Sequence, residues 1–113
     1  MDLVLTTHTV LRLRGEVDLF TAPRLRATLC ELVESGRSEL IVDMGDVEYF
    51  GTAGIAALAG ALAHVRRHGG WLKVACPHPH VLKLFQLTDM NKVFRIYPTV
   101  TEAIADCLAP VLG

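Results

Sequence analysis

Charge is scarce in this chain and balanced in sign. Its 113 residues include 11 Lys or Arg against 12 Asp or Glu, a formal net charge of -1. The basic footprint that draws a protein to nucleic acid or to an anionic membrane surface is therefore missing. No apolar run is long enough to cross a bilayer either. The longest uncharged stretch is the 17 residues from 49 to 65, mostly Ala and Gly, with His64 inside it and Arg66 and Arg67 directly after; it reads as part of a soluble domain. Cysteine is sparse as well. Cys30, Cys76 and Cys107 form an odd, widely spaced set without a CxxC pair, which excludes a disulfide scaffold and leaves reduced thiols as the expectation. Met1-Asp2-Leu3 opens the chain with no basic region ahead of an apolar segment, so the expected location is the cytoplasm.

What is present is apolar: 51% of residues are hydrophobic and only 20% charged. That is too oily for a disordered chain and leaves a surplus for one small domain, part of which a partner could cover. Length and short spacings between elements predict a single domain over residues 1–113. Alternation over 3–7 and 9–17 predicts two antiparallel strands joined by a turn near His8. Thr21 is placed to cap a helix with core positions Leu25, Leu29 and Leu32, a Phe20–Leu25 hydrophobic staple and Gly36 as its stop. Leu40-Ile41-Val42 reads as a short strand buried on both faces, followed by a connection over 43–50 into a second helix. Strands are expected over 71–75 and 93–97, and a short helix over 81–87. A Thr99-x-x-Glu102 capping box opens a last helix with Val100, Ala103, Ile104, Cys107, Leu108 and Val111 facing inward. The order β-β-α-β-α-β-α-β-α predicts an α/β fold with a mixed, mostly parallel five-stranded sheet, an antiparallel edge and helices packed on it.

On the second helix, Ile55, Leu58, Leu62 and Val65 fall on one stripe suited to the sheet. The opposite face carries Ala53, Ala56, Ala57, Gly60, Ala63, His64 and Arg67, where an exposed helix usually shows many charges. Such a bare face suits close approach by another protein. The helix opens at Gly51-Thr52-Ala53-Gly54, where backbone N–H groups and the positive end of the helix dipole favour an anion. No Gly-Lys-Ser/Thr follows, so this is not a Walker A loop, and phosphate chemistry is not indicated.

Several segments in order carry a family likeness: Leu13-Arg14-Gly15-Glu16-Val17-Asp18, Thr21-Ala22-Pro23-Arg24-Leu25, Leu40-Ile41-Val42-Asp43-Met44 with Val47 and Phe50, Gly51-Thr52-Ala53-Gly54-Ile55, and Arg66-Arg67-His68-Gly69-Gly70. Together they span nearly the whole chain, which resembles the STAS domain family and, within it, the bacterial anti-sigma factor antagonists. The resemblance implies partner switching. The unphosphorylated antagonist binds an anti-sigma factor, usually a small serine kinase with an ATP site, and the sigma factor is released; phosphorylation of the antagonist ends that binding. It implies a partner-binding set of Asp18, Thr21, Gly51, Thr52, Ala53, Gly54 and Ala57. The family signature Asp-Ser-Ser-Gly or Asp-Ser-Thr-Gly falls on Gly51, Thr52, Ala53 and Gly54, and the usual phosphoacceptor position is Ala53, which has no hydroxyl. Phosphorylation there is chemically impossible. Thr52 keeps the only hydroxyl of the motif, as a displaced acceptor or as a helix cap.

Other constellations carry less. Cys76-Pro77-His78-Pro79-His80 has metal-ligand types without a second ligand pair at zinc spacing, and His64 and His68 lack a third ligand, so no metal is expected. No nucleophile–base pair or pair of convergent carboxylates is legible, so the chain is expected to be a non-enzymatic binding module without a cofactor. Cys76 and Cys107 are a candidate redox pair, against the alternative that Cys107 is a buried inert thiol. A weak homodimer is a further expectation. The rival readings are a STAS accessory subunit of a transport ATPase complex and a nucleotide sensor.

Overall fold

The structure, a computed structural model, describes residues 1–108, the side chains of Cys107 and Leu108 excepted. The elements are β1 (Asp2–Leu5), β2 (Val10–Val17), α1 (Ala22–Glu34), β3 (Glu39–Phe50), α2 (Thr52–Arg67), β4 (Trp71–Ala75), α3 (Pro79–Leu87), a 3-10 turn (Met90–Lys92), β5 (Arg95–Tyr97) and α4 (Val100–Leu108). The five strands lie in the order β1-β2-β3-β4-β5. β1 is antiparallel to β2, and the remaining pairs are parallel, as expected where strands alternate with helices.

Strand alternation sorts side chains into two layers. Leu11 and Leu13 of β2, Leu40 and Val42 of β3 and Leu72 and Val74 of β4 join one core with the buried faces of α1, α2 and α3. Val10, Ile41 and Ala75 point to the other side and meet Ala103 of α4. β3 is therefore buried on both faces, as its β-branched run predicts. Phe50 stacks on Phe85 at 6.1 Å and Phe85 meets Phe94 edge-on at 5.9 Å; each such pair adds about 0.5–1.5 kcal/mol beyond its burial.

Four local expectations are corrected. β3 does not stop at Val42 but runs on to Phe50, pairing Val17 with Phe50. Its buried Met44, Val47 and Phe50 are spaced by three, and two register shifts against β2 absorb the extra residues, as β-bulges do. Gly15, at φ +87°, lies at the second shift, in backbone that glycine adopts without strain. In α1 the fourth core position is Val33, with Leu32 only partly buried at the margin. Phe20 forms no staple: it is 87% exposed while Leu25 is fully buried. In α4, Ala103 is buried but Ile104 is 38% exposed, so the inward stripe is narrower than expected. Val111 lies outside the described residues.

Candidate functional site

The site grows from the C-terminal ends of β2 and β3, where the chain turns into α1 and α2. The two turns are joined, because the N–H of Gly51 donates to the carbonyl of Val17 at 3.1 Å. Asp18 organises the first. Its Oδ1 accepts from the N–H groups of Phe20 at 2.9 Å and Thr21 at 3.0 Å, an Asx-type turn. The Thr21 hydroxyl accepts from Asp18 N–H at 2.8 Å and lies 3.1 Å from the Glu16 carbonyl, to which it donates. The expected cap is thus corrected: Thr21 is the residue before α1, but its side chain makes no cap bond and locks the turn instead. The backbone N–H of Thr21 holds the Asp18 carboxyl below the usual carboxylate range, partial burial opposes this, and the Phe20 N–H adds to the lowering. With the turn folded onto Asp18, Leu19 and Phe20 project outward, 75% and 87% exposed.

The second turn is built by glycines. Gly51 precedes α2 in extended backbone, and its carbonyl accepts from the N–H groups of Gly54 and Ile55. Gly54 sits against the Phe50 ring, which a Cβ would approach to 2.6 Å. Neither a side-chain cap nor an acidic residue serves the first turn of α2, so Thr52, which is exposed, does not act as the cap.

Between the turns lies an apolar groove of about 520 Å³. Leu19, Ala22, Pro23 and Ala27 form one wall, Ala53, Ala56 and Ala57 the other, with Arg26 and Cys30 also lining it. The bare face of α2 is divided by this arrangement. Ala57 is 6% exposed and Ala61 fully buried. Gly60 lies so near Arg26 that a Cβ would come within 2.9 Å of the guanidinium. Part of the small-residue face therefore serves close packing of α1 on α2, while Ala53 is half-buried and Ala56 and Ala63 are exposed. Asp18, Thr21, Gly51, Thr52, Ala53, Gly54 and Ala57 are thus brought to one end of the molecule, Gly54 and Ala57 beneath its surface.

A polar cluster under α4 was not legible in the sequence. Lys73 is 4% exposed, with its Nζ 3.4 Å from Asp106 and 4.5 Å from the Trp71 ring centroid. Asp106 also accepts from Arg95 at 3.1 Å and from the Tyr97 hydroxyl. The Tyr97 hydrogen bond is the main cause of the lowered Asp106 pKa, while burial and that same bond push Tyr97 up. These groups tie α4 to the sheet. The only sequence signal is a lysine in alternation with Leu72 and Val74 in a strand covered on both sides.

Cys76 sits at φ +59° after β4, and burial followed by the nearby Asp43 carboxylate pushes its thiol pKa up. That is opposite to an activated thiolate. The side chain of Cys107 lies outside the described residues. His78 contacts the Gly45 carbonyl at 2.9 Å, and His64 faces Glu34 at 3.3 Å; no group of three metal-ligating side chains converges among the described residues. Among the described residues no helix is long and apolar enough to cross a membrane.

A sheet with one antiparallel edge strand, α1 and α2 side by side on one face, and a glycine-bounded turn at the start of α2 define a class of α/β domain. Residues 3–103 match the STAS domain family, and the chain belongs to it. It is 32% identical over 82 residues to the anti-sigma-B factor antagonist of Bacillus subtilis, covering 73% of this chain and 74% of that protein. It is 28% identical over 95 residues to the anti-sigma-F factor antagonist RsfB of Mycobacterium tuberculosis, 84% of this chain and 77% of that one. The crystal structure of an anti-sigma factor antagonist from Mycobacterium paratuberculosis superposes with a TM-score of 0.80 at 27% identity, covering 92% of this chain and 89% of that chain.

Proposed function

We propose that this chain is an anti-sigma factor antagonist that acts by binding alone, in the cytoplasm. It docks on an anti-sigma factor, a serine-kinase-like ATP-binding protein, and so frees the sigma factor for transcription. The docking surface is the Asp18 turn, the Gly51–Gly54 turn and the exposed part of the α1–α2 groove. The observation that carries this reading is the joining of those two turns beside an apolar groove, with exposed Leu19 in its wall and exposed Phe20 next in the chain. Apolar patches with few charges are what protein partners cover.

A second element of the reading comes from the sequence: with alanine at position 53, the chain stays competent to bind. A phosphate on the usual acceptor would set nearly two negative charges on this small-residue surface and oppose docking. Ala53 cannot carry one, so phosphorylation within this turn would have to use the exposed Thr52, the turn's only hydroxyl.

The test is release of a sigma factor. When the chain is added to a preformed complex of sigma factor and kinase-like anti-sigma factor from the same organism, free sigma factor is expected to appear in gel filtration. It is expected to remain free after ATP is added. Persistence of the original complex at saturating antagonist would sink the reading. Gly54 is a poor site for an interface variant here, since any side chain meets the Phe50 ring and perturbs the core.

A further inference from the structure

The groove and its rim place a projecting apolar pair and an apolar hollow on one surface. Phe20 and Leu19 project from the Asp18 turn, and the groove they would fill begins beside them, with Leu19 already part of its wall. Charge follows the same pattern. The Oδ1 of Asp18 is engaged by Phe20 and Thr21, but its Oδ2 has no hydrogen bond or ion pair among the described residues. Arg26, in the groove one helix turn into α1, is exposed and likewise has no ion-pair partner among them. One surface thus holds a projecting aromatic and a hole, a carboxylate with one oxygen open, and a guanidinium that packs on Gly60 without an ion pair.

A two-fold axis brings each member of such a pair onto the other, because in an isologous interface residue i meets j and j meets i. We propose that two copies of this chain pair about a two-fold axis through this face, Phe20 of each entering the α1–α2 groove of the other and Asp18 of each facing Arg26 of the other. A single groove and one turn per copy make a small interface, in the size class of weak, transient contacts. One consequence rests on the function proposed above: the dimer covers the docking face, so self-association limits the antagonist available for binding.

Sedimentation equilibrium on the intact chain tests this without any anti-sigma factor, so its outcome is independent of the functional reading. Between about 10 µM and 1 mM, where weak association is read, the weight-average mass is expected to climb from the monomer's 12.4 kDa towards twice that value. Phe20→Ser and Arg26→Glu are each expected to raise the dissociation constant at least about 10-fold. Phe20 is 87% exposed, and an unchanged circular dichroism melt is expected for its variant; Arg26 also packs on Gly60, so its variant is compared at temperatures well below its own melt. A monomer mass at every concentration overturns the proposal, as does self-association that neither substitution weakens.

Discussion

Binding to the anti-sigma factor is expected to fall about 100-fold, or about 2.7 kcal/mol, when Ala53 is replaced by glutamate, while the fold keeps its stability. Ala53 lines the groove in the first turn of α2 and is half-buried beside Ala56 and Ala57. A partner packed there would strip water from the new carboxylate, while the basic residues of α2 are confined to its last turn and the one cation lining the groove, Arg26, lies against Gly60, about two helix turns along from position 53. Uncompensated burial of charge costs several kcal/mol. In the free protein the same carboxylate sits at the positive end of the helix dipole, where the first turn has no acidic residue, and it stabilises α2 by about 0.3–1 kcal/mol. The two effects have opposite signs, so unfolding cannot mimic loss of docking. Isothermal titration alongside thermal melting checks both: unchanged affinity would place the interface elsewhere, and a lowered melting midpoint would contradict the electrostatics.

The largest effect on stability is expected far from that surface. Gly70 enters β4 so close to β3 that a Cβ would lie 1.8 Å from the carbonyl oxygen of Ser38. That carbonyl accepts from the N–H of Trp71 at 2.9 Å, at the start of the β3–β4 ladder that pairs Glu39 with Trp71. The obstacle is backbone, which cannot swing aside as a side-chain tip can. Gly70→Ala must separate the strands or break the bond, at about 2–4 kcal/mol. For a domain of this size that is a fall in melting temperature of roughly 8–16 °C. A shift under about 2 °C would mean that the two strands are less tightly apposed than the structure has them.

Most of the framework could be read from periodicity. The buried stripe of α2, the parallel strands and the Thr99 cap, whose hydroxyl accepts from Glu102 N–H at 3.1 Å, all follow from local pattern. What escaped depends on partners distant in sequence. Met44, Val47 and Phe50 look like a connection because a regular strand repeats every two residues, and only pairing with β2 reveals the two bulges. The outward Phe20 results from Asp18 drawing the turn onto itself, a bond network that a capping rule for Thr21 does not contain. The alanine and glycine face of α2 was legible as bare but not as shared, since its closeness to α1 depends on where Arg26 lies across from Gly60. At the candidate site, composition marks the Gly51–Gly54 turn, while the groove beside it arises only when α1 and α2 are placed together.

The central claim, a permanently binding antagonist, is tested most directly by intact-mass measurement of the chain after incubation with the proposed kinase-like anti-sigma factor and ATP. The expected result is a complex that persists with no gain in mass on the antagonist, whereas the Ala53→Ser variant gains one phosphate and dissociates. A phosphate on the native chain, at Thr52 or elsewhere, together with loss of the complex would contradict the account.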